Sequence, residues 1–291
     1  MRQKVAIASA EAIDPEIYVM DEPSANLDIA STYRFADIIR DLKQQGKTII
    51  IAEHRLYYLM DLADRFLCVQ KGKIVREFTA QQMKALSNQE IRVLGLRTPD
   101  LHQIEQAEIP SAATNEVVLE VKKLNHSFGE TIVAKDVDFQ CRKGEVVALI
   151  GPTGTGKSTI GRILAGLLKE KSGEVVLFGK HCRPKGRLGK VWYIPQDLDS
   201  QLFGEDLLDE LTTGAEVSPE RKKAAEEILE ALELMPFVKQ HPSTLSGGQK
   251  QRLALGVALM HEAPIIVLDE PTSGLDGTNM RNVSRMIRKL A

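Results

Sequence analysis

The chain has 291 residues, with 38 lysines and arginines against 40 aspartates and glutamates and 43% apolar residues, proportions close to those of an average globular protein. A formal net charge of -2 gives no electrostatic reason for a nucleic-acid partner, and none is expected. Cys68, Cys141 and Cys182 are odd in number, widely spaced and in no C-x-x-C pair, which argues against a disulfide framework or zinc ribbon and for reduced thiols. No apolar run approaches the roughly 18 residues that cross a bilayer, and no signal-like segment follows Met1.

Residues 2–12 read as an amphipathic helical segment. A turn at Pro15 leads into the short apolar run "EIYVM", which ends in Asp21 and Glu22 and has the form of a buried parallel strand. Helical spacing in "TYRFADIIRDLKQQG" stops at Gly46, the strand "KTIIIAEH" follows, and "RFLCVQKGKIVREF" predicts a hairpin turning at Lys71 and Gly72. These 80 residues form the first domain in this reading. Residues 81–115 are mixed in charge, contain Pro99 and Pro110, and read as a connector with one short helix.

Residues 116–291 form a second domain. "EVVLEVKKLNHSF" and "AKDVDFQCRKGEVVALIG" predict strands, the last running straight into a glycine-rich loop. About 197–250 the pattern turns helical: "SPERKKAAEEILEALELM" has a serine cap, a proline in the first turn and strong helix formers. The last stretch, "RNVSRMIRKLA", is helical too.

Residues 2–28 align without a gap on residues 250–276, with about ten identities, which marks an internal duplication. Its plainest sign is "VMDEPSANLD" against "VLDEPTSGLD".

"GPTGTGKST", Gly151 to Thr159, fits G-x-x-x-x-G-K-[ST] with a strand before it and a helix after it, the context of a phosphate-binding loop. Gly151, Gly154 and Gly156 let the loop wrap, so that N–H groups through Thr155 and Thr159 and the helix start face an anion. Lys157 would meet the β and γ phosphates and Ser158 would hold magnesium. Asp269 and Glu270 end the strand "PIIVL"; burying two unpaired carboxylates costs several kcal/mol, so they must face a cleft or a metal. Asp269 suits Mg2+ and Glu270 suits activation of water. The basic stretch "HCRPKGRLGK" reads as solvated surface, and His181 beside Cys182 lacks the other ligands of a zinc site.

Between glycine loop and acids lies "LSGGQKQR", and after the acids "SGLD". In that order these motifs resemble the ATP-binding cassette family, over nearly the whole chain. The resemblance implies an α/β fold: a P-loop NTPase with a RecA-like parallel sheet core, an antiparallel β subdomain and a helical subdomain, plus a partial second cassette. It also implies that Ser246, Gly247, Gly248 and Gln249 close over ATP held by another cassette, in cis or in trans. Gln196 matches the loop that reaches magnesium and the nucleophilic water, and Phe128 the aromatic ring against adenine. His54 matches the switch histidine that contacts the γ phosphate. Asp21 and Glu22 match the metal-binding and catalytic acids of a second site, and Asp28 and Asp276 the D-loop.

"QDLDSQLFGE", "LSGGQKQRLALGVAL" and "AEHRLYYLMDLADR" are most similar to ATPases of energy-coupling-factor importers of vitamins and metal ions, including forms with two fused cassettes. Such an ATPase uses ATP and Mg2+, works at the cytoplasmic face of the membrane and drives an integral membrane transport subunit. Residue 1 aligns with Gln249, and no switch histidine follows Glu270. The chain is therefore expected to be a piece of a longer dual-cassette ATPase that binds MgATP and turns over poorly alone. Two alternatives are a tandem cassette acting on ribosomes and a nucleotide-binding fragment without turnover.

Overall fold

Contacts in the computed structural model, which describes residues 9, 12–103, 114–214 and 218–290, divide the chain into two units. The first comprises residues 1–107 with 273–281, the second residues 108–272 with 282–291. The helix expected over residues 2–12 and the tail of the connector at 104–113 lie largely outside the described residues.

In the first unit, β1 (Ile17–Asp21) and β2 (Thr48–Ala52) pair in parallel, in register from Ile17 opposite Thr48 to Asp21 opposite Ala52. Between them runs α1 (Ile29–Gln44), which starts where the Asp28 carboxylate accepts the Ser31 amide at 2.7 Å. Thr32, Phe35, Ala36, Ile39 and Leu42 recur at helical spacing and form its buried face. That face packs on Leu56, Tyr58, Leu59, Phe66 and Phe78. The hairpin of β3 (Phe66–Gln70) and β4 (Lys73–Phe78) turns where predicted. Lys71 and Gly72 have φ of 49° and 74°, the two left-handed residues of a turn whose twist matches its strands.

The connector holds two helices, α2 (Ala80–Lys84) and α3 (Asn88–Val93), where one was expected. Each starts at a complete capping box, Thr79 with Gln82 and Ser87 with Glu90. The sequence spells both boxes, and that signal outweighs the mixed charge and nearby proline that suggested a looser segment.

In the second unit, β5 (Val117–Phe128), β6 (Thr131–Arg142), β7 (Ser172–Leu177) and β8 (Lys180–His181) form an antiparallel sheet in the order β6-β5-β7-β8. Leu119, Val121, Leu124 and Val175 bury one face of it with Ile163 and Leu164 of α4 (Lys157–Leu164). β9 (Val191–Ile194) and β10 (Ile265–Leu268) pair in parallel. After the four-residue α5 (Pro184–Arg187), α6 (Leu207–Thr212), α7 (Pro219–Ala231) and α8 (Gly247–Met260) enclose Leu207, Leu211, Leu229, Leu253 and Leu255. The last helix, α9, spans Gly277–Leu290.

Two expectations need correction. The apolar run 145–150 before the glycine loop has no strand pairing among the described residues, and Val146 and Ile150 are 60% and 90% exposed. An apolar run expresses a demand for burial, and only a neighbouring strand makes it a ladder. Within the basic stretch read as solvated, Arg187 is fully buried against Glu170 and Cys182 is buried as well. An ion pair with a distant carboxylate lets a charge go inside, which local composition does not reveal.

All three cysteines are free thiols. Burial, helped by the Glu145 charge, pushes the Cys141 thiol up to about 11. Only about one molecule in a thousand then carries the thiolate at pH 8. Iodoacetamide labelling of Cys141, followed by mass spectrometry, is expected to be slow at pH 8 and to rise about tenfold per pH unit up to pH 10. A rate flat with pH over that range would contradict the burial of this thiol.

Candidate functional site

In the second unit the glycine loop runs directly into α4, and Gly156 caps the helix with φ of +94°. A Cβ there would lie 2.5 Å from the Val133 carbonyl oxygen of β6, so only glycine lets the loop press so close to the sheet. Lys157 donates from Nζ to the carbonyl oxygens of Gly151 and Pro152, both at 2.8 Å, which holds its ammonium inside the loop. Thr155 Oγ1 donates to the same Pro152 oxygen at 2.8 Å. Ser158 is exposed and Thr159 half-buried in the first turn of α4, where helix amides lack helical partners.

α4 rests on the parallel pair: a Cβ on Gly161 would lie 3.1 Å from both Tyr193 of β9 and Val267 of β10. Gly161 is one turn beyond Ser158, and Val267 lies two residues before Asp269, so α4 crosses this strand pair close to where the acids follow β10. The Asp269 amide donates to Ile194 at 2.9 Å and its carboxylate accepts the Tyr193 hydroxyl at 2.8 Å. Burial first, and then this bond, raises the Tyr193 phenol, so it stays a neutral donor and fixes the carboxylate. Glu270 follows with φ of 48°. A left-handed glutamate costs of order 1–3 kcal/mol, a strain that native structures concentrate at functional sites.

Gln196 is exposed just beyond β9. Ser246 caps α8, and its box with Gln249 is closed: Gln249 Oε1 accepts the Ser246 amide at 2.7 Å. Each of the two side chains thus accepts the backbone amide of the other residue, with Gly247 and Gly248 opening the helix between them. Lys250 Nζ reaches Asp199 at 2.6 Å, tying this helix start to the segment after Gln196. Phe128 is 55% exposed at the end of β5 and meets His126 edge-on, with centroids 4.8 Å apart.

In the first unit, parallel register sets Glu22 beside the residues that follow β2. The Glu22 amide donates to the Ala52 carbonyl at 2.9 Å, and His54 Nε2 lies 3.4 Å from Glu22 Oε1. Asp21 ends β1 opposite Ala52. Glu22 has φ of 40°, matching its duplicate Glu270. Asp28 and Asp276 both serve as helix N-caps, accepting the amides of Ser31 and Asn279 at 2.7 Å.

Several residues here escaped the sequence reading. Glu53 accepts from the Ser24 hydroxyl at 2.5 Å and the Tyr58 hydroxyl at 3.0 Å. Arg55 donates to the carbonyl oxygens of Ser24, Ala25 and Leu27 at 2.8–3.0 Å. Together they fasten the 24–28 loop to the His54 turn. Two charges flanking His54 after an apolar strand were the available signal. Among the described residues there is no group of three or more His, Cys, Asp and Glu side chains able to hold a metal by itself.

The sequence pattern of the family described as "ABC transporter" matches residues 134–273. A Treponema denticola protein, named as an ABC transporter ATP-binding protein, is 37% identical over 295 residues, covering 100% of this chain and 60% of its own length. YkoD of Bacillus subtilis, named as an HMP/thiamine import ATP-binding protein, is 29% identical, covering 99% of this chain and 58% of its own. The chain thus spans about 60% of the length of these curated relatives. The solved structure of cbiO1 from Clostridium perfringens, part of the ABC transporter complex cbiONQ, matches with a TM-score of 0.54 and 27% identity, over 60% of this chain and 75% of that one. A nucleotide-free ATP-binding cassette from an ABC transporter matches with a TM-score of 0.52 and 27% identity, over 60% of this chain and 77% of that one.

Proposed function

We propose, from the premise that the chain belongs to the ATP-binding cassette family, that it binds MgATP at residues 151–159 and serves as an ATPase component of an importer. One observation carries this reading: a glycine loop holding Lys157 opens a helix that lies on a parallel strand pair ending in Asp269 and Glu270.

The residues fit the nucleotide. The cradle at Gly156 has no room for a Cβ, and helix amides and an ammonium converge there, as an anion requires. The metal fits too, since Mg2+ is commonly bound by one or two carboxylates together with phosphate oxygens rather than by a protein cage. Ser158, Asp269 and Gln196 would hold it, with Asp21 in the same role in the first copy. When bound, Mg2+ neutralises charge on the phosphates. Lys157 and the amides of Gly154, Thr155, Gly156 and Thr159 orient the β and γ phosphates, while Phe128 offers a ring face to the base. Glu270 takes a proton from the attacking water, its left-handed backbone turning the chain just past the end of β10. Glu22 and His54, 3.4 Å apart, form the corresponding pair in the first copy. Ser246, Gly247, Gly248 and Gln249 close on nucleotide bound by another cassette, in cis or in trans.

No helix among the described residues is long and apolar enough to cross a membrane. The transport path belongs to an integral membrane subunit, on whose cytoplasmic face the ATPase docks. Likeness to the thiamine-import protein and to cbiO1 supports the energy-coupling-factor class, with a vitamin or metal ion as cargo.

Calorimetry with MgATP and steady-state phosphate release test the reading on the purified chain. Binding is expected, and Glu270→Gln should retain it while removing any turnover, by about 10²- to 10⁴-fold. Binding without turnover in the unsubstituted chain would reduce the function to nucleotide binding. Co-sedimentation with ribosomes in place of a membrane subunit would overturn the importer.

A further inference from the structure

Residues 273–281, the D-loop of the second copy and the start of α9, belong to the first unit and meet the connector there. The Gly277 amide donates to the Gly95 carbonyl at 2.9 Å, Arg97 Nε to the Leu275 carbonyl at 2.7 Å, and Arg281 Nη1 to the Leu96 carbonyl at 3.2 Å. Contact is closer than side chains permit: a Cβ on Gly277 would lie 1.9 Å from the Leu96 oxygen. Ser273 Oγ donates to the Ala25 carbonyl at 3.2 Å, and a Cβ on Gly274 would lie 3.5 Å from Glu22 Oε2. The second D-loop therefore has the connector on one side and the Glu22 carboxylate on the other.

The duplication adds meaning to Arg97. Leu275 is the duplicate of Leu27, and the Leu27 carbonyl is held by Arg55 at 2.8 Å. Each D-loop thus has the same carbonyl tied by a guanidinium, from the His54 turn in one copy and from the connector in the other. Burial draws the Arg97 guanidinium down from its usual range, with Arg55 adding to this, while the charges of Glu53, Glu22 and Asp276 oppose it.

We propose that Gly95, Leu96 and Arg97 form a clasp in which Arg97 is a positioning residue that fixes the second D-loop against Glu22. The clasp makes the connector a working part of the hydrolytic machinery. Its catalytic meaning rests on the role proposed for Glu22 and His54; its existence does not.

Hydrogen–deuterium exchange on the full chain decides it, comparing wild type with Arg97→Ala, Arg97→Lys and Gly277→Ala. Arg97→Ala and Gly277→Ala are expected to speed exchange about tenfold at 274–281 and also at 20–28, leaving α8 and the β5–β6 pair at wild-type rates. Arg97→Lys keeps the charge but loses the planar donor, and should restore little. Unchanged exchange at 274–281 in Arg97→Ala, or exchange raised equally in α8, overturns the clasp. A change at 274–281 with none at 20–28 overturns the positioning of Glu22. In turnover, kcat should fall about tenfold in Arg97→Ala with KM for MgATP unchanged, and a wild-type kcat there would refute the catalytic role. A wild-type chain that binds no MgATP would sink the proposed function, while the exchange data would still settle the clasp.

Discussion

Replacing Lys157 with methionine is expected to weaken MgATP binding by at least about 100-fold, roughly 2.7 kcal/mol, with little effect on folding. Its ammonium rests on two loop carbonyls, those of Gly151 and Pro152, both at exposed residues. Losing the side chain returns those oxygens to water, so the folded state pays little. The nucleotide, in contrast, brings several negative charges to a loop whose one fixed cation is this lysine, and charge-assisted bonds to phosphate are about twice as strong as neutral ones. Calorimetry with MgATP, alongside a thermal melt, separates the two effects. Lys157→Arg tests shape against charge: the cradle at Gly156 is tight, and a planar guanidinium is expected to recover only part of the affinity. Wild-type affinity in Lys157→Met would remove residues 151–159 from the proposed function.

What sequence made legible here is what is local. The Lys71–Gly72 turn, the glycine loop opening α4 and the acids ending β1 and β10 each depend on neighbours within a few residues. The duplication was legible as letters and proves to extend to conformation. Asp14 and Glu262 share φ of 50° and 49°, Glu22 and Glu270 share 40° and 48°, and Asp28 and Asp276 cap their helices alike. Duplicated residues repeat their backbone strain because the same turns must enter and leave the same strand.

What stayed hidden depends on partners far along the chain. Arg97 and Leu275 are 178 residues apart, and nothing in the spacing of either announces the other. Glu53 and Arg55 read as ordinary charges beside a histidine, although their work is to hold the 24–28 loop. For residues 145–150 the error ran the other way: the apolar letters are those of a strand, but a ladder needs an edge to pair with.

The second large effect concerns stability. Arg187 is fully buried, and its bond from Nη2 goes to Glu170, itself nearly buried; its Nε and Nη1 find no other partner among the described residues. A buried guanidinium that depends on one carboxylate has no fallback when that carboxylate is removed. Glu170→Ala is therefore expected to cost about 3–5 kcal/mol, a sizeable part of the roughly 5–15 kcal/mol that holds a typical domain together. Arg187→Met should cost less, because methionine keeps much of the packing of the stem and the Glu170 carboxylate it leaves unpaired is 10% exposed, whereas Arg187 is fully buried. In the double variant Glu170→Ala/Arg187→Met, most of the loss should be recovered, since no uncompensated charge remains inside. Urea midpoints for the three variants measure the cycle. A loss below about 1 kcal/mol in Glu170→Ala would show that water reaches Arg187 and takes the place of the carboxylate. α5, which carries Arg187, packs beside α4, the helix that the glycine loop opens. The ion pair therefore anchors an element packed against the helix that follows the glycine loop.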